Sequence, residues 1–233
     1  MTGAPGSLGQ DGDLPDHWSF TPHERRTVEA AMARIIPSDD APGAREAGTI
    51  TFLERYLSGI GAIYARPDGS GFETLSGKQA EAWRRRIAIL RNRYREGLRE
   101  LDARARTLAG GAFADLAPER QDAVLRDLEK DGTGAPTTLA VSDALAGPVS
   151  SAPALQQTST EVDLEFFPLL VAHTRQGFYA DPIYGGNKGQ VGWQVIGFPG
   201  PASLAEVHSG RYSTLPWFAE GEADKVKAFH HGV

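Results

Sequence analysis

The sequence predicts a mainly α-helical protein: an irregular bundle of about five helices, a long flexible loop and an irregular C-terminal segment. Three observations carry this expectation. Apolar residues recur at steps of three and four in one segment after another. Helix-start signals stand in front of two of those segments, at Thr21-Pro22-His23-Glu24 and at Ser76 with Gln79. Strand-like alternation is confined to one short stretch, 191–198.

Taken in order, residues 1–19 are rich in Gly, Pro and Asp and read as a disordered arm, because they offer little to bury against the entropy of ordering them. The domain proper is expected over 20–200. Its first helix carries Val28, Met32 and Ile35 on one stripe and stops at Pro37, where the turn formers of 37–43 begin. Ile50, Leu53, Leu57 and Ile60 mark the second helix, with Phe52 and Tyr56 widening the stripe, until Pro67-Asp68-Gly69 breaks the chain. The third runs through Trp83, Ile87, Leu90, Tyr94, Leu98, Leu101, Ala105 and Leu108, a helix of about 30 residues. Its remaining positions are strongly basic: Lys78, Arg84, Arg85, Arg86, Arg91, Arg93, Arg95, Arg99, Arg104 and Arg106 are assigned to the outward face. A shorter helix after Pro118 buries Val124, Leu125 and Leu128. Residues 131–160 turn to Ala, Ser, Thr, Pro and Gly and read as a flexible loop, either mobile or laid across a partner. A fifth helix carries Leu164, Phe167, Val171 and Thr174 through Phe178, starting late or kinking at Pro168. The tail 201–233 follows no pattern.

Composition excludes several functions. The chain has 233 residues and no cysteine, which removes disulfides, thiolate nucleophiles, iron–sulfur ligation and cysteine-based zinc sites. A net charge of −6 argues against nucleic acid as a partner. No apolar run is long enough for membrane insertion. No basic, apolar-cored leader opens the sequence, so a cytoplasmic location is expected, the alternative being export with a leader absent or removed.

Two blocks of sequence carry a resemblance. The first holds His173-Thr174, Gly177-Phe178, Asp181-Pro182, Tyr184-Gly185-Gly186-Asn187, Val191-Gly192-Trp193 and Ile196-Gly197-Phe198-Pro199-Gly200. The second holds Arg34-Ile35-Ile36-Pro37-Ser38-Asp39-Asp40 and then Pro42-Gly43-Ala44-Arg45-Glu46-Ala47-Gly48. Together they resemble the gluconate 2-dehydrogenase subunit 3 family over about residues 21–200. The resemblance implies an accessory, chaperone-like subunit, not an enzyme by itself and without a cofactor of its own. Such subunits pair with a large flavoprotein of the glucose–methanol–choline (GMC) type, which holds FAD, and often with a cytochrome c subunit. They assist maturation of the large subunit.

The residues leave two functional readings. One is a partner-binding surface formed by Phe178, Asp181, Tyr184, Gly185, Gly186, Asn187, Trp193, Phe198 and Pro199, where turn glycines fix a shape and aromatics offer rigid apolar area. Trp193, Phe198 and Trp217 fit a core equally well. The rival is a small-molecule site or enzyme centred on His173, Asp181 and Asn187. A phosphate cradle at Gly185-Gly186-Asn187-Lys188-Gly189 lacks the spacing of a known phosphate loop. His230-His231 have no accompanying metal ligands in the sequence. The basic face of the third helix reads as solvated or as a docking surface for an acidic partner.

Overall fold

The computed structural model of the chain describes residues 18–131, 161–198 and 200. Residues 1–17 of the expected arm, 132–160 of the expected loop, Pro199 and the 201–233 tail lie outside the described residues. Among the described residues there are six α-helices and no strand, the only β pairing being an isolated bridge between Ala65 and Phe72. Four of the helices pack around a fifth.

The first helix, α1 (Pro22–Ile35), begins as its sequence dictates. Thr21 Oγ1 accepts from the Glu24 N–H at 3.3 Å while the Glu24 carboxylate accepts from the Thr21 N–H at 2.9 Å, satisfying two otherwise orphaned donors. Its inner face buries Val28 and Met32, with Ile35 packed at the core's edge. Trp18, placed by the sequence reading in the arm, is itself buried; its ring lies edge-on to Phe20 and its carbonyl accepts from Ser58 Oγ at 2.8 Å.

Helix α2 (Thr49–Ser58) buries Ile50, Leu53 and Leu57. Gly59 ends it, so Ile60 falls in a separate 3₁₀ turn, Ile60–Ala62, rather than continuing the stripe. Helix α3 (Gly77–Ala109) is 33 residues long and buries Ile87, Leu90, Tyr94, Leu98, Leu101 and Ala105 as expected, while Leu108 projects beyond the core. Ser76 occupies the N-cap without a side-chain cap bond.

Two arginines assigned to the outward face of α3 are buried, and this corrects the sequence reading. Arg91 turns inward to donate to the carbonyls of Leu57 at 2.7 Å and Ser58 at 2.9 Å. These are carbonyls of the last turn of α2, which have no partner within their own helix. Its guanidinium also sits 5.5 Å from the Trp18 ring centroid. Arg86, likewise buried, meets Glu161. Asp102 turns inward too, accepting from the Phe113 N–H at 3.0 Å.

Helix α4 (Pro118–Asp131) buries Val124, Leu125 and Leu128 and is tied to α1 by a two-pronged contact of Arg34 on Asp122 at 2.7 and 3.0 Å. Helix α5 (Phe166–Tyr179) packs against α1, α2, α3 and α4. Pro168 is its third residue, where a helix has no bond to lose, so the proline neither delays nor breaks it. The stretch expected to alternate as a strand instead forms α6 (Val191–Val195). The apolar spacing of Val191, Trp193 and Val195 suits either structure over five residues. As the second residue of this helix Gly192 has an N–H without an intrahelical partner, and the Asn187 side chain takes it at 2.8 Å.

Candidate functional site

The segment from Asp181 onward is built on the last turn of α5. Asp181 caps a 3₁₀ turn, Pro182–Tyr184, by accepting from the Ile183 N–H at 2.9 Å. Gly185 then takes a φ of 100°, which a side chain resists, and closes the turn. Gly186 serves a different end: a Cβ built there would lie 2.1 Å from the Gly177 carbonyl oxygen. At Gly192 a Cβ would come within 2.0 Å of the Phe178 carbonyl oxygen. At both points the segment's backbone presses on the backbone of α5, and only glycine permits it.

Asn187 locks this arrangement. It is fully buried at a φ of 49°, its Nδ2 donating to the Ala180 carbonyl at 2.9 Å and its Oδ1 accepting from Gly192. Trp193 lies against Phe198 with ring centroids 5.2 Å apart and donates from Nε1 to the Tyr179 carbonyl at 2.7 Å. Further ties reach other elements. The Lys188 N–H donates to the Ala47 carbonyl at 2.8 Å, Arg55 Nη1 to the Ile183 carbonyl at 2.9 Å, and the Ala65 N–H to Tyr184 Oη at 3.2 Å.

This placement sorts the residues singled out from sequence. Phe178, Gly186, Asn187 and Trp193 are buried, so they shape the surface from beneath it. Asp181, Tyr184, Gly185 and Phe198 are half-buried, and Pro199 lies outside the described residues. Exposed apolar side chains stand on this surface, Val195 at 43%, Ile196 at 55% and Tyr179 at 38%, beside the exposed polar Lys188, Gln190 and Gln194. In 181–200 the only ionisable acid or lysine side chains are Asp181 and Lys188.

His173, Asp181 and Asn187 do not form one site. Asn187 spends its amide inside the turn and Asp181 caps that turn, as above. His173 is fully buried in a different cluster that joins α2, α3 and α5. There Tyr94 Oη lies 2.8 Å from His173 Nδ1, and His173 Nε2 and Arg86 each meet one oxygen of Glu161. Tyr56 Oη donates to Glu161 Oε2 at 3.1 Å. The donors close if Tyr94 donates to Nδ1 and the Nε2–H donates to Glu161. Burial alone would raise the Glu161 pKa, but the hydrogen bond from His173 and the charge and hydrogen bond of the Arg86 guanidinium outweigh it and hold the group at about 2. Burial pushes both tyrosine hydroxyls well above their ordinary range.

The cluster was not legible from sequence except for His173. One signal was available: on a helical wheel Arg86 and Arg91 flank the apolar stripe next to Ile87 and Leu90, whereas Arg85 and Arg99 lie opposite it. Nothing about Glu161 distinguishes it in sequence from other acids.

Fold and segment together define a helical protein whose polar groups at the singled-out positions are engaged internally and whose C-terminal cap is held in a fixed shape. The sequence model of the family gluconate 2-dehydrogenase subunit 3 matches residues 22–200, and the chain belongs to that family. No curated protein and no solved structure matches the chain.

Proposed function

We propose that this chain is a small non-catalytic subunit that binds a large FAD-dependent dehydrogenase or oxidase of the GMC type, stabilises it and assists its maturation. The large subunit would hold the FAD and oxidise a CH–OH group of a sugar, glycoside, polyol or aldonate; a cytochrome c subunit would complete the complex. Beyond family membership, the observation that supports this reading is the character of the C-terminal cap. Its polar side chains at Asp181 and Asn187 are consumed by its own turns, while Val195 and Ile196 stand exposed on a rigid base. Exposed apolar side chains on a preformed surface suit a protein partner better than a polar substrate.

The test is expression of the flavoprotein alone and together with this chain. A partner that binds only the native state raises its stability by mass action, so co-expression should raise the yield of soluble, FAD-loaded enzyme. The purified chain alone should be colourless and without dehydrogenase turnover. Equal yields of active enzyme in both cultures would overturn the maturation role, and stoichiometric flavin on this chain would overturn the non-catalytic one.

A further inference from the structure

Helix α3 carries ten basic side chains, and their fates differ. Arg86 and Arg91 are buried, Arg93 pairs with Glu165, and Arg104 pairs with Glu100 and Asp127. Arg84, Arg85, Arg95 and Arg99 are all exposed and, among the described residues, meet no carboxylate. Arg106 only approaches Asp102, at 4.0 Å. Helical spacing sets these five on one face, with Arg85, Asn92, Arg99 and Arg106 seven apart and Arg95 between. The ridge runs for about 33 Å. It stands on a chain of net charge −6.

We infer that this ridge is a docking surface for an acidic segment of a protein partner, distinct from the C-terminal cap. Among the described residues Arg95 reaches only the Asn92 amide and Arg106 only Asp102 at 4.0 Å, and exposed guanidinium groups of this kind offer planar donor pairs that match carboxylates. Beside the ridge, between it and the start of α1, lies a cleft of about 300 Å³ lined by His23, Arg99 and Arg106 together with the carboxylates of Glu24 and Asp102, with room for a side chain from the partner. Ile89, 48% exposed on the same side of α3, adds an apolar contact. A continuous phosphate backbone fits less well, because its evenly spaced charges could not avoid Glu81 and Glu96 on this face or Glu24 in the cleft, whereas a peptide can set its carboxylates against the arginines only. A lipid surface would need a row of large apolar residues, and Ile89 stands alone.

The surface can be tested on the full chain with a short fluorescent oligoglutamate peptide, a short DNA duplex and vesicles of phosphatidylcholine with phosphatidylserine. The variant R84Q/R85Q/R95Q/R99Q removes four charges from the ridge. A control, R45Q/R66Q/R126Q/K188Q, removes the same charge from exposed positions elsewhere. The ridge variant should bind the peptide about tenfold more weakly at low salt and show a shallower salt dependence, with the control within about twofold of the parent. Thermal melts matching the parent would show that the variants fold. Equal losses in both variants would reduce the effect to net charge and overturn the proposal. Tighter ridge-dependent binding of DNA or vesicles than of peptide would overturn it in favour of those partners, and absence of saturable peptide binding would overturn it outright.

Discussion

Replacing Glu161 by Gln should unsettle the whole bundle. The change keeps the side chain's shape but removes the one carboxylate that meets both Arg86 and His173. Arg86 is 8% exposed, so its buried charge would lose the Glu161 carboxylate that faces it. Breaking a buried pair from one side costs about 3–5 kcal/mol, far more than the pair contributes relative to an apolar replacement. The Gln carbonyl can still accept from one donor, which places the expected loss near 3 kcal/mol, or a fall in Tm of about 6–12 °C for a domain of this size. Urea and thermal unfolding of the isolated subunit measure it. E165Q, which breaks the exposed pair with Arg93, should cost no more than about 1 kcal/mol. Combining R86M with E161Q should recover part of the loss, since no buried charge is then stranded.

The same carboxylate gives the fold an acid limit. Its pKa in the folded chain is about 2 against an ordinary 4.5. The folded state therefore binds this proton less readily than the unfolded state does. The resulting stability, about 3 kcal/mol at most, is fully present above about pH 4.5 and is lost as pH falls to about 2. E161Q should lack this component, so its stability should fall less steeply over that window. A loss below about 1 kcal/mol for E161Q, together with an unchanged acid slope, would refute the account of the cluster.

Three further outcomes follow from the packing. Trp193→Ala should destabilise the isolated subunit by about 3–5 kcal/mol by denaturant melts, because the ring is buried and its N–H holds the Tyr179 carbonyl. Gly186→Ala should lower Tm sharply, since the added methyl meets the Gly177 carbonyl rather than a movable side chain. Arg91→Met should cost about 2–3 kcal/mol by the same measurement, as the carbonyls of Leu57 and Ser58 lose charged donors.

The sequence disclosed the helices because each is amphipathic over ten or more residues, long enough for the 3.6-residue period to separate from the alternatives. It did not resolve the short α6 within 191–198, because five residues are too few for that separation. The candidate site was legible as a run of glycines and aromatics but not in its division of labour. Trp193 proves to lie inward because the segment folds back on the end of α5, and Phe178, itself on α5, is buried there as well. Arg86 was hidden for a related reason. Its partner Glu161 is 75 residues away, and although the helical wheel sets Arg86 at the edge of the apolar stripe, Arg93 and Arg104 share that edge, so position alone does not mark which side chain turns inward.

The two polar systems of this protein are mechanically linked through α5. Glu161 meets His173 near the middle of that helix, and the cap is built on its last turn through Gly177, Tyr179 and Ala180. Ordering a surface loop costs about 1–2 kcal/mol per residue, and a partner that must supply this on docking binds correspondingly less well. Here the cap is fixed beforehand by bonds from Asn187 and Trp193 and by ties to Ala47, Arg55 and Ala65. Its order is therefore met by the folding of the subunit rather than at the encounter with a partner. The same logic explains why so little polar capacity is left on the cap. Side chains recruited to hold a backbone rigid are unavailable to bind a ligand, and on the proposed partner-binding reading Val195 and Ile196 would supply the apolar part of the contact, beside the exposed Lys188, Gln190 and Gln194.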